Sequence, residues 1–354
     1  MLFYTEFSDK LRIMSASTQR LPQPLQLLYA ELLQQCAMAL PSQRGVSFVA
    51  KTVNGGRYWY MEVVVGSGKK QYSLGRDTPT LRDLIERQKK LFAQARPEEK
   101  NRQQLVSMLV SGGLPAPGSA EGRVLELLAQ SGVFLSGGVL VGSHAFGAYQ
   151  GMLGVSWAKE LTRTQDIDLA SETSIDVAIP SDAPDIKSVL LESGMGFFAI
   201  PALNRKSPST AFKVQGRNLH VDLLTPLRGP NRQEPVPLTH FKSYAHPVRF
   251  LDYLLEEAQM AVLPFRSGVL VNTPAPARYA LHKLVVMERR PAAQHTKAIK
   301  DKMQAELLLE ILLDERPGDV WAALDAAGRM PRKFRATLEE GLEKLAPALR
   351  ERLS

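Results

Sequence analysis

The chain has 354 residues, of which 44% are hydrophobic and 23% charged, and it contains one cysteine. This composition excludes a disordered tail, a fibrous repeat, an intramolecular disulfide and a cysteine-based metal site. No apolar run reaches the roughly 18 residues of a membrane-spanning helix, and the first residues do not resemble a signal peptide. We therefore expect a cytoplasmic protein with no membrane partner.

The amino-terminal third predicts a helix, a β-meander and a second, longer helix. Apolar residues recur at helical spacing over residues 22–40, and Thr78-Pro79 opens a polar helix that extends to about residue 111. Between them lie three strand-like runs separated by glycine-rich turns, at residues 46–53, 57–65 and 70–74. The Gly- and Pro-rich residues 112–119 indicate a domain boundary, so we expect a first domain over residues 1–112.

Positive charge is concentrated in this region. The chain has a net charge of +8, and residues 44–102 contain thirteen Lys and Arg against six Asp and Glu. Such a segment is typical of proteins that bind a polyanion, and the alternative is a solvated helix surface with no such partner. The segment also resembles the arm-type DNA-binding domain of phage integrases, through a pattern of the form YWY…G…K…LG. That resemblance implies nucleic-acid contacts by Lys51, Arg57, Lys69 and Lys70.

The central part of the chain contains three features that carry chemistry. A predicted strand at residues 133–141 ends at Gly142-Ser143, and a helix follows at once. Asp166 and Asp168 lie on a second strand, and a further strand is expected at residues 174–179. Asp222 lies on the returning strand of a hairpin over residues 210–224 that turns at Gly216. Because side chains two apart on a strand share a face, Asp166 and Asp168 project together.

Paired carboxylates on an apolar strand repel each other, and a bound divalent cation removes that penalty. Hard oxygen ligands favour Mg²⁺ or Mn²⁺ together with the phosphates of a substrate. The glycine at position 142 allows close backbone approach, and the helix N-terminus offers N–H groups to a phosphate. The order of these features predicts nucleotidyl or phosphoryl transfer.

The segments VGSHAFGAY, TQDIDLA and LHVDLLTP resemble the nucleotidyltransferase superfamily that includes DNA polymerase beta, tRNA CCA-adding enzymes and aminoglycoside nucleotidyltransferases. The resemblance covers about residues 120–310 and implies a mixed sheet flanked by helices. It further implies that Asp166 and Asp168 ligate both metals, and that Asp222 completes the catalytic metal site and acts as the base or orients it. One departure is the 22 residues between Ser143 and Asp166, where the family pattern has about a dozen.

The carboxyl-terminal helices extend the resemblance. RYALHKLVVMERRP and KAIKDKMQAELLLEILL look like the helical region of bacterial nucleotidyltransferases of the abortive-infection toxin type. In those proteins a Lys near the start of one helix and a later Lys-Asp pair face the nucleotide. The resemblance implies that Lys283 is this first lysine and that Lys300 and Asp301 are the pair. Two further basic residues that precede Asp222, Arg205 and Lys213, are candidates for phosphate binding.

These features predict an α+β protein: a catalytic domain over residues 119–273 with a mixed sheet, followed by a helical domain over residues 274–354. The predicted activity moves an NMP from an NTP, with ATP among the candidates, to a hydroxyl acceptor. RNA or tRNA is favoured as the acceptor, and a protein or a small molecule stays open.

The alternatives are a catalytically inactive nucleic-acid-binding protein on the same fold and a glycosyltransferase that uses Asp166-Ile167-Asp168. The NTP and the oligomeric state are left open. None of the six histidines has paired ligand spacing. His220, two residues before Asp222, shares its strand face and is a candidate for contact with the site, although a packed or exposed histidine is the favoured interpretation.

Overall fold

The computed structural model describes residues 18–39, 46–53, 55–65, 68–162, 164–173, 184–202, 204, 207–231 and 233–353. Over these residues the chain is an α+β protein with a mixed central sheet, a small antiparallel sheet near the amino terminus and helices at the carboxyl terminus. The predicted fold class is therefore confirmed. No helix in the described ranges is long and apolar enough to cross a membrane.

The central sheet has the strand order β11-β12-β10-β7-β5, with β9 on β10 and β8 on β9. Strands β7, β10 and β12 are parallel, whereas β5 runs antiparallel to β7 and β9 antiparallel to β10. The bounds are β5 Val139–Val141, β7 Asp166–Ala170, β8 Phe197–Ala199, β9 Ala211–Val214, β10 His220–Pro226, β11 Val236–Leu238 and β12 Ser243–Val248.

Alternation of side chains sets the two faces of this sheet. Ile167 and Leu169 on β7, and Val221 and Leu223 on β10, are buried in one apolar core together with the helices behind the sheet. Because the period of a strand is two residues, the polar residues between them lie on the opposite face. The helices around the sheet are α3 Ser119–Gln130, α4 Gly142–Met152, α5 Lys159–Thr162, α6 Ile186–Leu191 and α7 Leu251–Leu255.

The amino-terminal region agrees with the predicted helix, meander and helix. Strands β2, β3 and β4 form an antiparallel three-stranded sheet, and the long helix α2 begins at Pro79, where the side chain of Thr78 caps it by accepting from the N–H of Leu81. The bounds are α1 Gln23–Met38, β2 Val46–Val53, β3 Gly56–Val65, β4 Gly68–Arg76 and α2 Pro79–Ser111.

Helix α1 packs against the body of the protein. Tyr29 is buried, and its hydroxyl accepts a hydrogen bond from the N–H of Val262 at 3.1 Å. Val262 belongs to a separate hairpin of strands β13 Ala258–Leu263 and β14 Val269–Pro274. Gly151 makes room for the tyrosine ring, because a Cβ there would lie 2.2 Å from it. Leu109 near the end of α2 shares the same apolar cluster.

The unusually long segment between Ser143 and Asp166 has a role in this packing. After α4 it forms strand β6 Val155–Ser156, which pairs with β1 Gln19–Arg20. The carbonyl of Gly154 accepts a hydrogen bond from the N–H of Leu21 at 2.8 Å. The extra residues thus connect the body of the protein that contains the central sheet to the amino-terminal segment.

The carboxyl-terminal helices pack around an apolar core that also receives α4. Leu284 on the first of them is fully buried and contacts Gly341, where a Cβ would lie 2.8 Å from the leucine Cβ. The bounds are α8 Pro276–Glu288, α9 His295–Glu315, α10 Pro317–Gly328, α11 Arg332–Glu343 and α12 Pro347–Glu351.

Two expected strands differ from the structure or lie outside it. The strand expected over residues 133–141 is shorter, because residues 131–137 form turns and only β5 is extended. The apolar residues at 133 and 134 are buried although they lie in turns, so the apolar pattern there indicates a buried segment but not an extended strand. The strand expected at residues 174–179 lies outside the described residues.

Candidate active site

Two neighbouring parallel strands bring the predicted carboxylates together. Asp166 lies opposite His220, and Asp168 lies opposite Asp222, in the register of β7 with β10. All four residues are on the face opposite the apolar core, since the residues between them are buried. One end of the sheet therefore carries three carboxylates and an imidazole within two adjacent rows.

The Gly142 turn closes one side of this patch. Val141 at the end of β5 lies opposite Asp168, and Gly142 then starts α4 with a φ of +65°. A Cβ on Gly142 would lie 2.0 Å from Oδ2 of Asp168. Both the left-handed backbone and the close carboxylate thus require glycine, and they place the N-terminus of α4 and partly exposed Ser143 beside Asp168.

His220 lies beside two of the three carboxylates. Its Nδ1 lies 3.3 Å from Oδ1 of Asp166, and its Nε2 lies 3.3 Å from Oδ2 of Asp222. Its side chain is 28% exposed, and the strand register places its ring between the two carboxylates. The signal was present in its spacing, two residues before Asp222 on the same strand face.

Two carboxylates of this patch, Asp168 and Asp222, have raised pKa values. Burial, and next the charge of Asp222, raise the pKa of Asp168 to about 6, although Lys283 opposes the shift. Burial also raises the pKa of Asp222, and Asp166 adds to that effect while His220 counteracts it. A site that holds several carboxylates at this cost favours a bound cation.

The donor set fits a divalent metal by its chemistry. Three carboxylates offer the hard oxygen ligands that Mg²⁺ and Mn²⁺ prefer. Within the described ranges no three His, Cys, Asp or Glu side chains are already gathered around one ion-sized position. The ring of His220 instead lies between Asp166 and Asp222, so side-chain rotation would accompany ligation.

The carboxyl-terminal helices bring one lysine, Lys283, within electrostatic range of the acidic patch. Nζ of Lys283 on α8 lies 2.6 Å from Oδ1 of Asp301 on α9, and Nε of Arg290 pairs with the other oxygen of that carboxylate. Asp301 is buried, and the Lys283 side chain is only 12% exposed. The lysine is therefore held in place while its charge still acts on Asp168.

The model of a nucleotidyltransferase family matches residues 119–327. This chain belongs to that family. The match covers more than half of the chain and includes Gly142, the three aspartates and the Lys283–Asp301 pair. No curated protein and no solved structure matches the chain. The family's enzymes are transferases that typically use a divalent metal.

A second lysine of this nucleotidyltransferase reaches the same region. Burial lowers the pKa of Lys300, with Lys283 contributing next, and the charge of Asp166 opposes the shift. His144, the third residue of α4, is neighbour to Lys300, and burial followed by that charge lowers its pKa to about 4. Its Nε2 is buried and has no hydrogen-bond partner within the described residues.

The two other basic candidates have different outcomes. Lys213 on β9 lies opposite His220, in the same row as Asp166, so the hairpin brings it to the patch. Arg205 lies outside the described residues.

The predicted nucleic-acid contacts of the nucleotidyltransferase are divided between the faces of its amino-terminal sheet. On one face Nζ of Lys51 donates to Gln71 at 2.9 Å and lies 5.7 Å from the ring centre of Tyr60. Arg57 lies towards α2, where its Nε is 3.6 Å from Oδ2 of Asp77. Lys69 and Lys70 are on β4, paired with Val64 and Val63, and their side chains lie outside the described part of the structure.

Proposed function

We propose that this chain transfers an NMP from an NTP to a hydroxyl acceptor and releases pyrophosphate. The observation that carries the proposal is the register of β7 with β10, which aligns Asp168 with Asp222 next to the Gly142 turn. An acidic patch beside a helix N-terminus suits a substrate whose phosphates arrive with cations.

The three aspartates have separate roles in this proposal. Asp166 and Asp168 would hold the divalent cation, Mg²⁺ or Mn²⁺, and Asp222 would join them. When bound, that cation neutralises phosphate charge and makes a hydroxyl easier to deprotonate. Asp222 lies beside His220 and is one-third exposed, so it is placed to accept or orient the proton of an incoming hydroxyl.

The NTP would lie between the Gly142 turn and the carboxyl-terminal helices. The N–H groups at the start of α4 and the hydroxyl of Ser143 donate to phosphate oxygens. Lys283 supplies a positive charge on the opposite side, already oriented by Asp301. Arg205 and Lys213 are the further phosphate contacts in this proposal, with Lys213 in the row of His220.

The favoured acceptor is RNA, bound through the basic amino-terminal sheet. Lys51, Arg57, Lys69 and Lys70 are the proposed contacts, and a net charge of +7 over residues 44–102 supports them. In this division, residues 1–112 bind the acceptor, residues 119–273 catalyse, and residues 274–354 form a helical domain that contacts the NTP. Because α1 is buried against β13, the acceptor region is best tested within the full chain.

The pairing of Lys283 with Asp301 also supports the abortive-infection subgroup. In the resemblance, a lysine on one helix and a Lys-Asp pair on the next face the nucleotide. Here α8 and α9 bring Lys283 into contact with Asp301, and the charge of Asp166 acts on Lys300.

The test is a transfer assay with each of the four NTPs, labelled in turn on the α- or the γ-phosphate. The full chain is incubated with Mg²⁺ or Mn²⁺ and total cellular RNA or protein. We expect one NTP to transfer the α-label and not the γ-label, and we expect Asp166→Asn and Asp168→Asn to abolish transfer.

Each other outcome has a defined meaning. Transfer of the γ-label would make the chain a kinase and overturn the proposal. RNA binding without any transfer would favour the inactive nucleic-acid-binding alternative. Transfer of the α-label to protein would keep the reaction and replace RNA as the acceptor.

A further inference from the structure

We infer that Tyr279, with Gln304 behind it, is a positioning residue that holds the Gly142–Ser143 turn in its phosphate-binding conformation. The hydroxyl of Tyr279 donates to the carbonyl oxygen of Gly142 at 2.9 Å. This contact joins the first carboxyl-terminal helix, α8, to the first residue of α4. The inference rests on the proposed function, because it assigns the contact to NTP binding.

The turn needs such support because its backbone is unusual. Gly142 has a φ of +65°, and its Cα lies against the carboxylate of Asp168. Rotation of the Gly142–Ser143 peptide would reorient the Ser143 N–H and would also change the contact between Gly142 and Asp168. A hydrogen bond to the Gly142 carbonyl fixes the plane of that peptide.

The tyrosine is itself rigid. It is 1% exposed, and its ring packs edge-on against Tyr149 at 5.2 Å and stacks with Phe146 at 6.3 Å between centroids. The amide oxygen of Gln304 lies 3.3 Å from the same hydroxyl, as a longer second acceptor of its one proton. The amide nitrogen of Gln304 donates to the carbonyl of Leu161 at 2.8 Å, which fixes the orientation of that amide.

The same two helices also supply the basic wall. Lys283 follows Tyr279 by one helical turn on α8, and Asp301 precedes Gln304 by one turn on α9. At one level of this helix pair Lys283 is bound by Asp301. One helical turn away, Tyr279 and Gln304 contact each other, and Tyr279 binds the carbonyl of Gly142. The positions of both proposed phosphate contacts are thereby coupled through α8 and α9.

The chain offers a matched control for this inference. Tyr149 is also fully buried in the same ring cluster, and its hydroxyl donates to the carbonyl of Pro274 at 2.9 Å. Tyr149→Phe and Tyr279→Phe each remove one buried hydroxyl from one backbone carbonyl and keep the ring. A merely structural hydroxyl would give similar results in both variants.

The experiment measures the KM and kcat for the NTP, and the Kd of a non-hydrolysable NTP analogue, for wild type and both variants. We expect Tyr279→Phe to raise the KM and the analogue Kd about tenfold, the scale of one lost hydrogen bond, and Tyr149→Phe to stay within twofold. Thermal unfolding should show similar losses in both variants. Equal kinetic and binding effects in the two would overturn the inference.

The design separates this inference from the proposed function. A wild type that binds the analogue without transferring NMP would contradict the proposed function, while the ratio of the two variant Kd values still decides the inference. A wild type that binds no NTP analogue would overturn both. Where Tyr279→Phe fails to fold, Gln304→Met replaces it; a smaller rise of the Kd, of about threefold, is then expected, and no rise overturns the inference.

Discussion

Asp168 and Gly142 are in such close contact that no side chain fits between them: a Cβ on the glycine would lie 2.0 Å from the carboxylate Oδ2. The contact joins the strand that carries two carboxylates to the helix whose N-terminus faces them. Any shift of the Gly142 backbone would therefore also shift the carboxylate of Asp168.

Gly142→Ala is expected to reduce transfer at least about a hundredfold, because the methyl group displaces Asp168 from the site. Gly196→Ala is the matched control, since Gly196 also has a positive φ, of +78°, but nothing lies within 4 Å of its Cβ position. Both variants carry the same kind of backbone strain. Equal losses of kcat/KM in the two would show that strain, and not the contact with Asp168, is responsible.

Asp222→Asn is expected to bind NTP with Mg²⁺ almost normally, because Asp166 and Asp168 remain. Turnover should fall by at least about a hundredfold, the usual scale for a lost general base. Nucleotide affinity and single-turnover rate are measured on this one variant. A loss of affinity with an unaltered rate would assign Asp222 to nucleotide binding, and normal values for both would remove it from the site.

Asp168→Asn is expected to stabilise the metal-free protein at neutral pH. The pKa of Asp168 is raised to about 6 in the folded protein, mainly by burial, above its unfolded value of about 3.9. The ionised form therefore destabilises folding fully above pH 6, and the penalty disappears as the pH falls below about 4. Urea unfolding with a chelator should show a gain on the order of 2 kcal/mol at pH 8 and almost none at pH 4. A loss of stability at pH 8 would contradict the raised pKa of Asp168.

Lys283→Met is expected to weaken NTP binding by at least about tenfold, because a charge-assisted contact to phosphate is lost. Arg290 still pairs with Asp301, so that buried carboxylate keeps one cationic partner. Lys344→Met is the control, since Lys344 also joins two carboxyl-terminal helices through a carboxylate, Glu288. The measurement is calorimetric NTP affinity; the same affinity in both variants would remove Lys283 from the nucleotide site.

Lys51→Gln combined with Arg57→Gln is expected to lower RNA affinity and to reduce the salt slope of binding by about two. The control is Arg329→Gln combined with Arg352→Gln, which removes the same charge from exposed positions of the carboxyl-terminal helices. NTP affinity should be unchanged in both double variants. An equal loss of RNA affinity in the two would show that net charge, and not the basic sheet, determines binding.

Local patterns in the sequence were sufficient for several elements. The capping threonine and proline predicted the start of α2 at Pro79, and the hairpin around Gly216 placed Asp222 on a returning strand, as found. These signals lie within a few residues of the feature they predict. The strand expected from residue 133 failed for a related reason: burial of short apolar runs does not distinguish a strand from buried turns.

The sequence by itself determined that Asp166 and Asp168 share one strand face and that Gly142 begins a helix, because strand period and helix starts are local properties, whereas the mixed sheet was implied by the family resemblance. Tertiary structure alone decided that His220 lies between Asp166 and Asp222, since a strand's spacing does not state its partner's register. It alone also decided that Tyr279 reaches Gly142 across 137 residues of chain. Such contacts follow from how α8 and α9 pack on α4, which depends on the whole apolar core and not on any one segment.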